Sequence, residues 1–421
     1  MKKETIALHA GYTKDEQKTM AVPIYMTTAY AFDSVEHAAN LFALKEIGNI
    51  YTRIGNPTTD VFEKRFAALE GGVAALATSS GMAAINYSVL NVCESGDNII
   101  AANQLYGGTV TLFTHTLKRL GIEARMFDVH SPEKIEELID KNTKLIFFES
   151  ITNPSIDVPD FEKIVKIANK HNILTVVDNT VATPILCNPI EYGVDIVVHS
   201  TSKYTTGQGL ALGGIIVEAE FAKEKIKENP RYKMFNEPDA SYHGLIYIDT
   251  PFPPFVLRAR LSLLRDMGSA PSPFNSWLFI QGLEHLSLRI KQHSQSALTI
   301  AKWLKNHPKV KKVNYPLLEG DKNYENAKKY LKGGASGLLS FEVESFEEAK
   351  KIADSVKIFS RVVNIGDSKS IITHPASTTH QQLSHEELIA AGVSEGLIRL
   401  SIGLEAVEDL IEDLKSALGK C

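Results

Sequence analysis

Between residues 75 and 218 the chain repeats one pattern, a short apolar run followed by a stretch with helical spacing and then another short run. The runs are "DNIIAA", "EARMFDV", "TKLIFFES", "ILTVVDN", "DIVVHS" and "GGIIVE". Intervals such as "PEKIEELID" and "DFEKIVKIANKH" place apolar residues three and four apart, which predicts helices. Strands this rich in β-branched residues are buried on both faces, and helical crossovers between them make neighbours parallel. The last two runs lie too close together for a crossover and predict an antiparallel pair. The expected fold class is therefore α/β, with an open, mixed, mainly parallel sheet rather than a TIM barrel.

The flanks read differently. Residues 1–56 are rich in Thr, Tyr and Gly without a period and read as an extended arm. "NPTTDVFEKRFAALEGG" then predicts a helix capped by Asn56, opened by Pro57 and stopped at Gly71. It begins a large domain over 57–256, whose last part, with "ENPRYKMFNEPDASYHG" and "TPFPPF", is aperiodic and predicts a long functional loop. A helical region runs from about Phe274 to Leu304. With "SGLLSFEV" and "GLIRLSIGLE" it makes residues 257–421 a smaller C-terminal α+β domain.

Composition narrows the function. A formal net charge of −5 with intermixed signs lacks the basic stripe of a nucleic-acid binder. "KLIFFESI", among the longest apolar runs, is far too short to span a bilayer. The N-terminus develops no apolar signal core, and the three scattered cysteines form no disulfide framework. These features predict a cytoplasmic protein with no membrane or nucleic-acid partner.

Several catalytic signatures fail. There is no GxxxxGK[ST], "GQGLALGG" lacks GxGxxG spacing, "HEELI" has Ile389 where a zincin needs histidine, and "GGASGL" lacks the last glycine of a GxSxG elbow. His374, His380 and His385 are too loosely spaced for a metal site, so no metal is expected. What remains lies at strand ends, where open α/β sheets bind ligands. "SSGMAA" opens a helix whose Gly81 and Met82 N–H groups suit a phosphate. Asp178 ends the strand "ILTVVD", a position that pairs with the pyridine nitrogen of pyridoxal 5'-phosphate (PLP) in enzymes that use it. Lys203 follows the strand "DIVVHS" beside Ser200 and Ser202; it suits a Schiff base with an aldehyde while the hydroxyls hold a phosphate. Read singly, these are a serine cap, an Asx turn and a surface lysine. Read in order, they make one PLP site. Tyr106 in "QLYGGT" is placed to stack on the ring, and Arg399 in "LIRLSIGLE" suits a substrate carboxylate, with a core tyrosine and a structural salt bridge as the plain alternatives.

With these residues assembled, the chain resembles the Cys/Met-metabolism family of PLP enzymes, through "LHAGY", "YTRIGNPT", "SSGMAA", "HSTSKY", "HPASTTHQQL" and "RLSIGLE". The resemblance implies an aspartate-aminotransferase-like PLP-transferase fold and a homotetramer of tight dimers. It also implies that Tyr51 and Arg53 of "YTR" reach the phosphate of the neighbouring subunit's site and that Asn153 touches the cofactor's ring hydroxyl. Asn364 in "VVNIGDSKSIITHPASTTHQQL", the "PRYKMFNEPDASYHG" segment and Gly108 after "LYG" resemble the O-acetylhomoserine sulfhydrylase branch. That branch implies γ-replacement, with acetate exchanged for a sulfur donor to give homocysteine in methionine biosynthesis. Lys203 would be the proton carrier, Tyr106 and Asp178 would assist it, and Arg399 and Asn364 would bind substrate. Cystathionine γ-synthase and γ-lyase activities use the same residues and stay open at this level. So does the donor, whether free sulfide, methanethiol or sulfur delivered by a carrier protein.

Overall fold

The first sheet contains β1 (Ala74–Thr78), β2 (Asn98–Ala102), β3 (Glu123–Phe127), β4 (Thr143–Glu149), β5 (Leu174–Asp178), β6 (Ile196–Ser200) and β7 (Gly214–Glu218). The computed structural model describes every residue except 379–380, 382–387, 389–391 and 421. The strands run in the order β1-β7-β6-β5-β4-β2-β3, and β2 to β6 pair in parallel. β7 is antiparallel to both β6 and β1, so the antiparallel pair expected after "DIVVHS" is present and the sheet is mixed. The helix Phe161–Lys170 between β4 and β5 buries Phe161, Ile164, Val165 and Ala168 along one stripe, as its spacing predicts.

β1 is the strand the sequence does not announce. Its "AALAT" is alanine-rich, and alanine carries little strand preference. Pairing with β7 and covering of its free edge make it a strand. Glu63 Oε1 accepts the Ala77 N–H at 2.8 Å, and Arg260 holds the other Glu63 oxygen at 2.6 Å while reaching the Ala75 carbonyl.

Two other segments depart from expectation. Residues 1–56 are not wholly extended: α1 (Lys3–His9) packs on α3 (Pro57–Glu70), and α2 (Val35–Phe42) stands among exposed residues. Residues 219–256 are a chain of short helical turns that bury Tyr232, Phe235 and Tyr247. Tyr232 Oη accepts the Leu174 N–H and donates to the Lys144 carbonyl, both at 2.7 Å, and Arg231 caps the carbonyls of 140, 141 and 143. This segment closes off the N-terminal ends of β4 and β5, opposite the end where ligands bind. The long loop expected from its aperiodic sequence is thus ordered, and through Arg231 and Tyr232 it satisfies strand-end backbone groups.

The helical region from 274 breaks into two helices, Pro273–Glu284 and Leu286–Lys305, at His285. The first packs on α3 through Phe62–Phe279 ring contact and a 2.9 Å Thr59–Ser276 hydroxyl bond. A second sheet follows, with β8 (Lys312–Asn314), β9 (Leu338–Glu342), β10 (Ser360–Arg361), β11 (Ile371–Thr373) and β12 (Leu397–Ser401) in the order β10-β11-β12-β9-β8. It carries Arg399 on its central strand.

Asn56 joins the N-terminal segment to this frame. Its side-chain oxygen caps α3 by accepting the Thr58 N–H at 3.0 Å, while its amide donates to the Tyr25 carbonyl at 2.8 Å. Asn56→Ala is expected to cost about 1–2 kcal/mol through the lost cap alone. It should also quicken proteolytic cleavage within residues 13–55, read by limited proteolysis and mass spectrometry.

Candidate active site

Parallel pairing brings the C-terminal ends of β2, β4, β5 and β6 to one side of the sheet, and a cavity of about 240 Å³ opens there. Gly81, Met82, Tyr106, Asn153, Asp178, Ser200, Ser202, Lys203, Asn364 and Arg399 all line it. Tyr51 and Arg53 do not. Both are exposed, with the Arg53 guanidinium 5.1 Å from the Tyr51 ring centre.

α4 (Gly81–Leu90) starts at the cavity wall. Ser80 Oγ caps it by accepting the Ala83 N–H at 3.1 Å, so Gly81 and Met82 keep N–H groups with no intrahelical acceptor. The serine-cap reading and the anion-site reading are thus both true, of adjacent residues. Gly81 must be glycine here, because a Cβ would lie 2.5 Å from that of Ser200. Ser202 is less free than expected: its hydroxyl donates to the Gly213 carbonyl at 3.2 Å and accepts the Gly213 N–H at 3.0 Å.

Asp178 accepts two bonds from Thr180, from its N–H at 2.9 Å and its hydroxyl at 2.5 Å. Burial pushes its pKa up against these bonds, and among the described residues it makes no ion pair. Lys203 Nζ donates to Asn364 Oδ1 at 2.7 Å. Burial, and then the nearby Arg399 charge, lower its pKa to about 8. Arg399 is buried, donating to Asn153 Oδ1 at 2.9 Å, the Asn364 carbonyl at 3.1 Å and Thr373 Oγ1 at 3.3 Å, with Nε unpartnered. Burial lowers its pKa to about 10. It meets no carboxylate among the described residues. Buried groups of opposite sign without an ion-pair partner among the described residues therefore face one cavity, Asp178 and Glu149 from the first sheet and Arg399 from the second.

The family described as Cys/Met metabolism PLP-dependent enzyme matches residues 4–419. The chain belongs to this family. It is 47% identical to an O-acetyl-L-homoserine sulfhydrylase of Leptospira meyeri, over 99% of this chain and 96% of that protein. It is 43% identical to the homocysteine/cysteine synthase of Saccharomyces cerevisiae, over 98% and 97%. A Campylobacter jejuni crystal structure, described as an O-acetylhomoserine (thiol)-lyase with N'-pyridoxyl-lysine-5'-monophosphate, superposes with a TM-score of 0.98 at 51% identity, covering all of both chains. The fold is thus that of the PLP-dependent enzymes, as expected.

The cavity fits PLP on its own terms. Free N–H groups at the start of α4 and a glycine packed on Ser200 suit a phosphate, the unpaired Asp178 suits a protonated ring nitrogen, and the amine of Lys203 suits an aldehyde. Sequence reasoning missed two polar members of the wall, Glu149 and Thr180, along with its apolar residues such as Ile151 and Leu212. Glu149 carries the same signal that singled out Asp178, a carboxylate ending a buried strand, and it lies across the register from it. Of the late histidines, His374 bonds to Ser377 and to the Glu395 carbonyl, while His380, His385 and Ile389 lie outside the described residues. No group of three potential metal ligands occurs among the described residues.

The reactive form of Lys203 is the neutral amine, so a pKa near 8 has a direct consequence. In the apoprotein the rate of recombination with PLP should rise with pH, bend near pH 8 and level off above it. Absorbance of the bound cofactor after stopped-flow mixing reads the profile. A rate still rising at pH 10 would show an unperturbed lysine.

Proposed function

We propose that the chain catalyses γ-replacement on O-acetyl-L-homoserine. The bond from the γ-carbon to the acetyl oxygen breaks, a sulfur donor forms a C–S bond at the same carbon, and L-homocysteine and acetate leave. What carries this reading is that set of buried groups of opposite sign at one cavity, with Lys203 lining the same wall. A substrate bearing a carboxylate satisfies Arg399, whose Nε still lacks a partner. The choice of an acetyl ester and a thiol donor follows the relatives' names.

PLP, when bound, supplies a carbonyl for the substrate amine and an electron sink for the charge left as the α-proton departs. Asp178 keeps that sink strong by favouring a protonated ring nitrogen, and Thr180 keeps the carboxylate oriented. Lys203 takes the proton at Nζ and returns it; its lowered pKa makes the neutral amine accessible near neutral pH. Asn364 links the two halves of the task, since its side chain holds Lys203 Nζ and its carbonyl holds Arg399. Tyr106, at the start of the short helix α5 (Gly107–Thr111), offers its ring to the cofactor from the cavity wall, and Asn153 its side chain.

The same reading extends to assembly. We take residues 1–56 as an arm serving a neighbouring copy's site, 57–256 as the PLP-binding unit and 257–421 as the C-terminal unit. Exposed Met20, Met26, Phe42 and Ile47, with Tyr51 and Arg53 lying outside this chain's own cavity, support an arm covered by a second subunit, within a homotetramer of tight dimers. No helix among the described residues is long and apolar enough to cross a membrane. A cytoplasmic setting is supported by the two buried free thiols, Cys93 and Cys187. A sulfur-carrier protein remains a candidate donor beside free sulfide.

PLP-loaded protein given O-acetylhomoserine should release homocysteine and acetate with sulfide, and neither cystathionine with cysteine nor 2-oxobutyrate without a thiol. Lys203→Ala should lower turnover by about 10²–10⁴-fold or more. Cystathionine or 2-oxobutyrate as the main product would move the activity to the synthase or lyase branch.

A further inference from the structure

Glu149 lines the cavity, and the reaction as described gives it no part. It ends β4 directly across the register from Asp178 and is 4% exposed. Its two oxygens serve two different loops. Oε1 accepts the Tyr106 N–H at 2.7 Å, in the connection that leaves β2, and Oε2 accepts the Asn153 N–H at 3.1 Å, in the turn that leaves β4. Asn153 in turn receives the Arg399 guanidinium. Glu149 makes no ion pair among the described residues, and burial together with the negative charge of Asp178 pushes its pKa well up. Two buried carboxyl groups side by side, neither in an ion pair among the described residues, are unfavourable for folding alone. A better-packed apolar residue would serve stability at least as well.

We infer that Glu149 is a positioning residue: one carboxyl group spans two loops and sets the spacing between Tyr106 and the Asn153–Arg399 pair. A carboxyl group is needed because it offers two acceptor oxygens on a rigid fork. A glutamine of the same shape offers one acceptor and one donor, and its NH₂ would meet a backbone N–H head-on. An aspartate is one methylene too short to span both loops from the same strand end. Asp178 does not substitute, since its Oδ1 is taken by Thr180. The inference rests on this cavity being the PLP site.

The test compares PLP-loaded wild type with Glu149→Gln and Glu149→Asp, using O-acetylhomoserine and sulfide. Both variants should raise the KM for the amino acid about tenfold or more, through a displaced Arg399, and alter the visible circular dichroism of the bound cofactor, through a displaced Tyr106. Unchanged KM and dichroism, with only a lowered Tm, would overturn the inference and leave Glu149 a packing residue. A measurement on the wild type alone stands if neither variant folds. Hydrogen exchange resolved to single amides should find Tyr106 and Asn153 both protected, and exchange at open-loop rates at either would overturn the clamp. Dichroism and exchange do not depend on which substrate is turned over, so a wild type inactive on O-acetylhomoserine would count against the proposed reaction and not against the clamp.

Discussion

The carboxyl group of Asp178 ends a buried strand and makes no ion pair among the described residues, a cost that bears on everything around it. An isolated charge in such a place normally shifts its pKa or finds a partner. Thr180 supplies two hydrogen bonds, enough to orient the group. The remaining deficit is one that a protonated pyridine ring would satisfy under the proposed function. Arg399 is the mirror case in the second sheet, a buried cation held by three oxygens of amide and hydroxyl groups and, among the described residues, by no carboxylate. Cofactor and substrate thus complete an electrostatic arrangement that the chain leaves open by construction.

Strand direction converts this chemistry into geometry. Because β2, β4, β5 and β6 run parallel, their C-terminal ends and the turns after them reach one cavity. The switch to antiparallel at β7 keeps the Lys203 turn close to the sheet, with Thr201 N–H and Ser202 Oγ both bonded to the backbone of Gly213. The C-terminal part of the chain reaches the cavity through Asn364 and Arg399, and Asn364 holds both Lys203 Nζ, by its side chain, and Arg399, by its carbonyl.

Much of this was legible in the sequence because the signals are local. Six short apolar runs gave six strands, Asn56 and Gly71 bounded their helix, and a carboxylate or lysine at a strand end pointed to the cavity wall. What escaped depends on distant partners. β1 is a strand only through β7 and the Glu63–Arg260 cover. The segment 219–256 earns its order from carbonyls near residues 140–144, which no local pattern reveals. Glu149 carries the same local signal as Asp178, a carboxylate ending a strand, but what it does there rests on backbone N–H groups whose direction the sequence does not give.

If Lys203 carries the cofactor within this cavity, borohydride reduction of the PLP-loaded protein followed by peptide mass mapping should find a pyridoxyl-phosphate mass on the peptide containing Lys203 and on no other lysine. The same mass on another lysine, or cofactor lost on denaturation after reduction, would contradict it.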